Sequence, residues 1–219
     1  MSEYSVIIIF TDKITEIHSS KLNTQYYYTC NMKFLIVGLG NIGSEYAHTR
    51  HNIGFDILDA FAKKHGKTFA PDRYADYCMI SVKGKQLHLI KPNTYMNLSG
   101  KAVRYWMQEL KLEANQIFVL VDDLAIDFGK IRIRANGSDA GHNGLKNINE
   151  LLLTQNYPRL RFGIGSNYAK GQQVDFVLGM FNEEEQKTLP ELIKHSIDAI
   201  ESFALSGLER TMNFFNKNN

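Results

Sequence analysis

Apolar residues recur along the chain with two different periods, which separate predicted strands from predicted helices. Residues 33–37 and 117–121 are largely apolar and short enough to be strands. The second run is apolar at every position, which predicts a central strand that is buried on both faces. Over residues 53–65 the apolar positions are three and four apart, so they share one face and predict a helix.

The other elements are predicted from the same two periods. Residues 130–134 alternate basic and apolar side chains, the pattern of a strand with one buried and one exposed face. Asn182, followed by three glutamates, is typical of a capped helix start, and the helical pattern continues to residue 203. Further strands are predicted near residues 78–82, 86–90 and 159–163, and further helices over residues 100–110 and 145–153. This alternation predicts one α/β domain, a twisted mixed β-sheet with helices on both faces.

Residues 1–31 show no sustained period, and Met32 directly precedes the first strong strand pattern. We therefore expect residues 1–31 to be an N-terminal extension, either loosely ordered or a mis-assigned start, and residues 32–219 to form the α/β domain. In the alternative interpretation, residues 6–10 and 26–28 contribute an added strand.

Composition narrows the class of protein without deciding its function. The 219 residues are 44% apolar, which is enough for a buried core. Their formal net charge of +2 is too small to demand a nucleic-acid partner. No apolar run approaches the roughly 20 residues of a membrane span, so we expect a cytoplasmic protein. The two cysteines, Cys30 and Cys78, have neither zinc-site spacing nor a disulfide framework, and we expect both thiols to be free.

The glycines at residues 38–43 match the G-x-G-x-x-G pattern of dinucleotide-binding folds. That pattern binds a pyrophosphate only when a helix begins at the third glycine and an acidic residue ends the next strand. Here residues 44–52 are polar and aperiodic, and Asp56 and Asp59 fall inside the predicted helix. The glycines are better interpreted as a tight turn, which is compatible with any function.

Four separated segments, taken together, are more specific than any one motif. They are GLGNIG with Tyr46 and TRHNIG (residues 38–54), KPNTYMNLSG (91–100), VDDL (121–124) and GHNGLK (141–146). Their order and intervals resemble those of bacterial-type peptidyl-tRNA hydrolases, with VDFVLG at 174–179 as a weaker fifth match. The resemblance runs from Met32 to the C-terminus.

This resemblance implies an enzyme that hydrolyses the ester between a peptide and tRNA, without a cofactor or metal, acting on peptidyl-tRNA as a monomer. His51 matches the family's catalytic histidine, and Asp122 matches the aspartate that holds it. The positions that match the lining of the family's substrate site are Asn41, Tyr46, Met96, Asn97, His142 and Asn143.

The residue types fit that chemistry on physical grounds. A neutral imidazole is the natural base near pH 7, and an aspartate that accepts its other N–H fixes the tautomer. Uncharged asparagine amides can bind a peptide backbone and an ester oxygen without reading side chains.

Other interpretations of the same residues remain open at this point. From the residues alone, His51 can be an ordinary surface or core histidine. Asp122 and Asp123 can be a metal-binding pair or a solvated strand end. Asn97 and Asn143 can cap turns or helices, and His142 can be a packed ring.

Basic residues supply candidates for tRNA phosphate contacts. Because side chains alternate along a strand, Lys130, Arg132 and Arg134 are expected on one face. Lys146, the last residue of the fourth matched segment, is another candidate. Arg104, Arg159 and Arg161 are further candidates, although structural ion pairs or a solvated face explain any of these residues as well.

Two other function classes compete with the hydrolase. The first is a non-catalytic RNA-binding relative of the same fold, for which His51 and Asp122 would have no use. The second is a serine esterase, but the chain lacks the G-x-S-x-G motif and Ser99 occurs in a different context.

Overall fold

The computed structural model describes residues 32–217, which form a seven-stranded sheet with helices around it. The strands are β1 (Lys33–Gly38), β2 (Ala70–Asp72), β3 (Ala75–Val82), β4 (Lys85–Pro92), β5 (Ile117–Asp123), β6 (Ile131–Arg134) and β7 (Arg159–Gly163). The helices are α1 (Ile53–Lys64), α2 (Ser99–Glu109), α3 (Asn143–Leu152), α4 (Gln173–Val177), α5 (Glu183–Ser206) and α6 (Leu208–Phe215). The interpretations of residues 1–31 lie outside the described residues.

The strand order is β2-β3-β4-β1-β5-β7-β6, with a parallel centre and antiparallel edges. Strands β4, β1, β5 and β7 run parallel, whereas β2, β3 and β6 are antiparallel to their neighbours. The carboxyl ends of β4, β1 and β5 therefore lie side by side at one edge of the sheet. In open parallel sheets this edge is where ligands bind, because the connecting loops leave a crevice there.

Helices cover both faces of the sheet, and the alternation within β1 shows why. Phe34 and Ile36 belong to an apolar cluster that includes residues of α1, α5 and α6. Leu35 and Val37 belong to a second cluster on the other face, with residues of α2 and α3. The predicted twisted mixed sheet with helices on both faces is confirmed.

Three elements were absent from the sequence predictions: β2, α4 and α6. All three residues of β2 are exposed, and α4 has no fully buried residue, so neither carries an apolar period. Strand β6 begins at Ile131, so Lys130 lies just outside the strand to which it was assigned. Helix α5 begins as predicted, since the Asn182 side chain accepts a hydrogen bond from the Glu185 backbone N–H.

The glycine-rich turn after β1 leads into a single 3-10 turn (Ser44–Tyr46) and not into an α-helix. Gly43 has a φ of 110°, a backbone conformation that favours glycine, but α1 begins only at Ile53. The helix N-terminus that a dinucleotide pyrophosphate requires is therefore not at the third glycine.

No helix within residues 32–217 has the length and apolar character needed to cross a membrane.

Candidate active site

Three segments that are distant in sequence meet at the carboxyl edge of the sheet. Asp122 is the penultimate residue of β5, His51 lies in a short 3-10 turn (Arg50–Asn52) before α1, and His142 immediately precedes α3. Asn41 follows β1, the strand next to β5. The parallel pairing of β1 with β5 thus brings together residues from the first, third and fourth matched segments.

The Asp122 carboxylate contacts two imidazole rings. His51 Nδ1 lies 3.0 Å from Asp122 Oδ1 and 3.1 Å from Oδ2, and His142 Nε2 lies 3.1 Å from Oδ1. The two ring centroids are 4.8 Å apart. The predicted His51–Asp122 pair is therefore present in the structure, together with a second histidine on the same carboxylate.

Hydrogen-bond chemistry fixes the proton on each ring. The backbone N–H groups of Gly144 and Leu145 both donate to His142 Nδ1, at 3.1 and 3.3 Å, so the proton of His142 is on Nε2. An ionised carboxylate only accepts hydrogen bonds, so His51 Nδ1 also carries a proton and donates it to Asp122. His51 Nε2 is left as a lone-pair acceptor, and it has no hydrogen-bond partner within residues 32–217.

Burial and charge act on these groups in opposite directions. Burial by itself lowers the pKa of His51, but the charge of Asp122 and its hydrogen bond outweigh burial, and the pKa is raised above the ordinary 6.5. Burial raises the pKa of Asp122, but His51 and His142 outweigh it and hold that pKa well below its usual range. Asp122 is therefore ionised throughout the physiological range.

Asn41 is held in place so that one end of its amide is available. Its backbone N–H donates to Asn52 Oδ1 at 2.8 Å, and Asn52 Nδ2 donates to its carbonyl at 2.9 Å. Its side-chain oxygen accepts the backbone N–H of Met96 at 2.9 Å. Because that oxygen is occupied, the amide NH2 is the group that Asn41 can offer to a ligand.

The other residues that the resemblance assigns to the substrate site lie on neighbouring 3-10 turns and at the start of α3. Met96 is buried and contacts the N-terminus of α3: a Cβ at Gly144 would lie 2.7 Å from Met96 Sδ. Asn97 follows Met96 in the sequence, Asn143 precedes Gly144, and both are exposed. Neither caps the helix beside it, since Leu98 and His142 occupy the N-cap positions of α2 and α3. Tyr46 lies on the turn before His51, where its carbonyl accepts the backbone N–H of Thr49.

Two of the candidate tRNA-binding arginines form no ion pair with another described residue. Arg132 and Arg134 are exposed on β6, and the ion pairs found within residues 32–217 involve neither. Lys130 is paired with Asp127 at 3.0 Å, and Lys146 is exposed one helical turn after Asn143.

The further candidates on β7 have structural partners. Arg159 is fully buried and donates to the carbonyls of Ser138 and Gln155. Arg161 is paired with Asp123 at 2.9 Å and also donates to the Ser138 carbonyl. Their contacts fix the loop that leads to His142, and they favour the structural interpretation for both arginines.

His51, Asp122 and His142 could also offer three ligand atoms to a metal ion, since these atoms lie within 4.8 Å of one another. In the structure His51 Nδ1 and His142 Nε2 are already hydrogen-bonded to Asp122 Oδ1. Asp123 does not extend the set, because one of its oxygens accepts from Arg161 and the other from the Ala125 backbone. The arrangement matches a hydrogen-bonded acid–base group better than a metal site.

Sequence reasoning missed two residues that shape this site, Arg50 and Asn52. Both are buried polar residues beside His51. Nothing local in the sequence marks either role, because the partners of Arg50 lie in residues 176–185 and the Asn52 side chain bonds with the Asn41 backbone across a turn.

Comparison with known proteins agrees with these observations. A family model described as peptidyl-tRNA hydrolase matches residues 35–219. A peptidyl-tRNA hydrolase of Porphyromonas gingivalis is 57% identical over 185 residues, which cover 84% of this chain and 100% of the relative. One of Cytophaga hutchinsonii is 56% identical over 185 residues, which cover 84% of this chain and 98% of the relative. A crystal structure of peptidyl-tRNA hydrolase from Acinetobacter baumannii has a TM-score of 0.79 and 34% identity, covering 84% of this chain and 94% of that one. The chain therefore belongs to the peptidyl-tRNA hydrolase family.

Proposed function

We propose that this protein hydrolyses the ester bond between the peptide, or an N-blocked amino acid, and the 3′ end of tRNA, and so recycles tRNA during translation. Membership of the family supports the reaction. The single observation that carries the proposal is the His51 ring, whose Nδ1 donates to a buried Asp122 while Nε2 is left as an acceptor. That is the arrangement of a general base next to its orienting carboxylate.

In the proposed mechanism His51 activates water. Nε2 takes a proton from a water molecule as its oxygen attacks the ester carbonyl carbon, and Asp122 stabilises the imidazolium that forms. The tetrahedral intermediate then collapses, the ester C–O bond to the ribose breaks, and the ribose oxygen receives the proton from Nε2. The products are the free peptide carboxylate, tRNA with a free hydroxyl, and a proton released to solvent.

Uncharged amides are proposed to hold the substrate. The NH2 group of Asn41 is available as a donor. Asn97, on the 3-10 turn of Met96, and Asn143, the first residue of α3, are both exposed, and these two elements meet through Met96. Such donors stabilise charge on the ester oxygen in the transition state and bind backbone carbonyls without selecting a peptide sequence. Tyr46, Met96 and His142 complete the proposed site.

The tRNA is proposed to contact the basic edge of the sheet. Arg132 lies opposite Arg161 in the β6–β7 pair, and Arg161 lies opposite Val121 in the next pair. At the usual strand spacing Arg132 is roughly 10 Å from β5, a distance that tRNA phosphates close to the ester can span. The proposed phosphate contacts are Lys130, Arg132, Arg134 and Lys146.

We further propose that the enzyme acts as a cytoplasmic monomer, without metal or cofactor, and that residues 32–219 form the catalytic unit. Peptidyl-tRNA arises during translation, which supports the location. The hydrogen-bonded arrangement of His51, Asp122 and His142 supports a metal-independent reaction.

A direct test is to incubate the purified protein with N-acetyl-aminoacyl-tRNA and to measure release of the N-acetyl amino acid. We expect release well above the uncatalysed rate. A folded protein that binds the tRNA but releases nothing would support the RNA-binding alternative instead. A serine esterase is disfavoured because Ser99 is fully buried and its hydroxyl donates to the Met96 carbonyl.

A further inference from the structure

Arg50 directly precedes His51 and is only 7% exposed, which is unusual for an arginine that is not in the catalytic group. Its guanidinium makes its hydrogen bonds with a different part of the chain, the segment from α4 to the start of α5 (residues 173–185, hereafter the α4–α5 segment). Among the described residues, none of these bonds reaches Asp122 or a proposed substrate-binding residue.

The contacts of Arg50 with the α4–α5 segment are close and of several kinds. Nη1 donates to the Met180 carbonyl at 2.6 Å, and Nη2 donates to Glu185 Oε2 at 2.7 Å. The guanidinium carbon lies 4.3 Å from the centre of the Phe176 ring. The planar, forked guanidinium can make these three contacts at once, which a lysine ammonium cannot.

Backbone contacts run alongside the side chain. The Arg50 N–H donates to the Gly179 carbonyl at 3.0 Å, and Thr49 forms an isolated antiparallel bridge with Met180. The turn that carries His51 is therefore joined to the α4–α5 segment through both main chain and side chain.

Glu185 connects this contact to helix α5. Its Oε2 accepts from Arg50 and also from the Asn182 backbone N–H, at 2.8 Å, within the capping box that starts α5. Helix α5 packs against the sheet through residues such as Phe203. The His51 turn is thus bonded to the N-terminus of a long helix that packs in the core.

We propose that Arg50 is a positioning residue: by joining the His51 turn to the α4–α5 segment, it holds the imidazole at hydrogen-bond distance from Asp122. The inference rests on the proposed function insofar as His51 is the base. Arg50 acts through His51 and contacts neither substrate nor reacting atoms. A misplacement of a catalytic group by about 1 Å can reduce the rate by about 10²-fold, so the geometry has a measurable consequence.

The test compares Arg50→Met with the double variant Arg50→Met/Glu185→Gln. The single variant leaves the largely buried Glu185 carboxylate without its partner and risks misfolding, whereas the double variant removes both charges and is better tolerated. Phe203→Leu, a core change in α5 remote from the His51 turn, serves as the control for reduced stability alone. All proteins are compared at a temperature where circular dichroism shows them to be folded.

We expect kcat of the folded double variant to fall by at least about tenfold with KM within about twofold of wild type, while Phe203→Leu keeps wild-type kcat. The downfield NMR signal of the His51 Nδ1–H, assigned by its absence in His51→Ala, should shift or broaden in the Arg50 variants only. A folded double variant whose kcat and His51 signal match those of the control would overturn the proposal. If wild type releases no amino acid, the proposed function fails, and the His51 signal alone decides whether Arg50 positions the ring.

Discussion

Asp122 is only 6% exposed, and its carboxylate accepts hydrogen bonds from two imidazole rings. A buried negative charge is tolerated because these donors replace the water it has lost. The second ring, His142, is itself locked, since its other nitrogen accepts from the first turn of α3. The orientation of His51 therefore depends on a carboxylate that is fixed from a second side.

The pH dependence of the reaction should follow the pKa of His51. A base works only when neutral, and Asp122 raises the His51 pKa above 6.5. We therefore expect kcat/KM to fall as the pH drops through a midpoint above 6.5. In Asp122→Asn the negative charge is gone and burial dominates, so the midpoint should move below 6.5 and the plateau should fall by roughly 10³- to 10⁴-fold. A pH–rate profile with the same midpoint in both proteins would contradict the assignment of His51 as the base.

His142 should show two separable contributions, one to α3 and one to Asp122. Asparagine is a good helix cap but does not reproduce the imidazole contact with the carboxylate, so His142→Asn should be more stable than His142→Ala by about 1 kcal/mol. Both variants should lose activity to a similar extent, because both lose the bond to Asp122. Urea unfolding with activity measurements tests this, and equal stability of the two variants would argue against the capping role.

At the scale of elements, strands β6 and β7 place four arginines on the same face. Arg132 is opposite Arg161 and Arg134 is opposite Arg159 in the register. Like charges in such positions repel, but Arg159 and Arg161 have structural partners. Arg132 and Arg134 have no ion-pair partner among residues 32–217, so we expect them to attract a polyanion from solvent.

We predict that Arg132→Ala and Arg134→Ala each raise KM for the tRNA substrate with little change in kcat. Each should also reduce the slope of log KM against log salt by roughly one unit, if it loses one phosphate contact. Lys187→Ala, which removes an exposed lysine at the start of α5, is the matched control and should change neither. An unchanged KM for both arginine variants at physiological salt would exclude them from the tRNA-binding surface.

Helix α1 approaches the end of β1 so closely that Gly54 admits no side chain. A Cβ there would lie 2.5 Å from the backbone nitrogen of Leu39 and 2.7 Å from its carbonyl oxygen. Because these are backbone atoms that cannot rotate away, Gly54→Ala should destabilise the fold by roughly 1–3 kcal/mol or more and displace the His51 turn. A wild-type melting temperature in this variant would show that the contact is looser than described.

At the scale of the whole molecule, the sequence predicted those elements whose burial is periodic. Strands β1 and β5 could be predicted because their apolar residues contribute to the clusters on both faces of the sheet. Helix α1 could be predicted because its apolar residues pack into the cluster on one face. The four matched motifs identified the family through their order and intervals, and in the structure they lie together near the carboxyl edge of the parallel strands. The pairing of these strands, and with it the His51–Asp122 contact across 71 positions of sequence, was accessible only through the resemblance.

The features that sequence reasoning missed depend on contacts between segments that carry no local pattern. Arg50 is one of several basic residues in the sequence, and its burial is decided by a segment about 130 positions later. The second imidazole on Asp122 could not be foreseen, since His142 has the surroundings of a turn residue. Likewise Arg159 and Arg161 resemble phosphate ligands until their carbonyl and carboxylate partners are known.

Single-turnover release of the N-acetyl amino acid from N-acetyl-aminoacyl-tRNA tests whether His51 is the base of a metal-independent ester hydrolase. Wild type and His51→Ala are compared with and without EDTA. We expect EDTA to leave the wild-type rate unchanged, and we expect His51→Ala to slow release by about 10²- to 10⁴-fold while still binding the tRNA. Release at the wild-type rate by His51→Ala would show that His51 is not the base, and loss of the wild-type rate in EDTA would show that the reaction needs a metal.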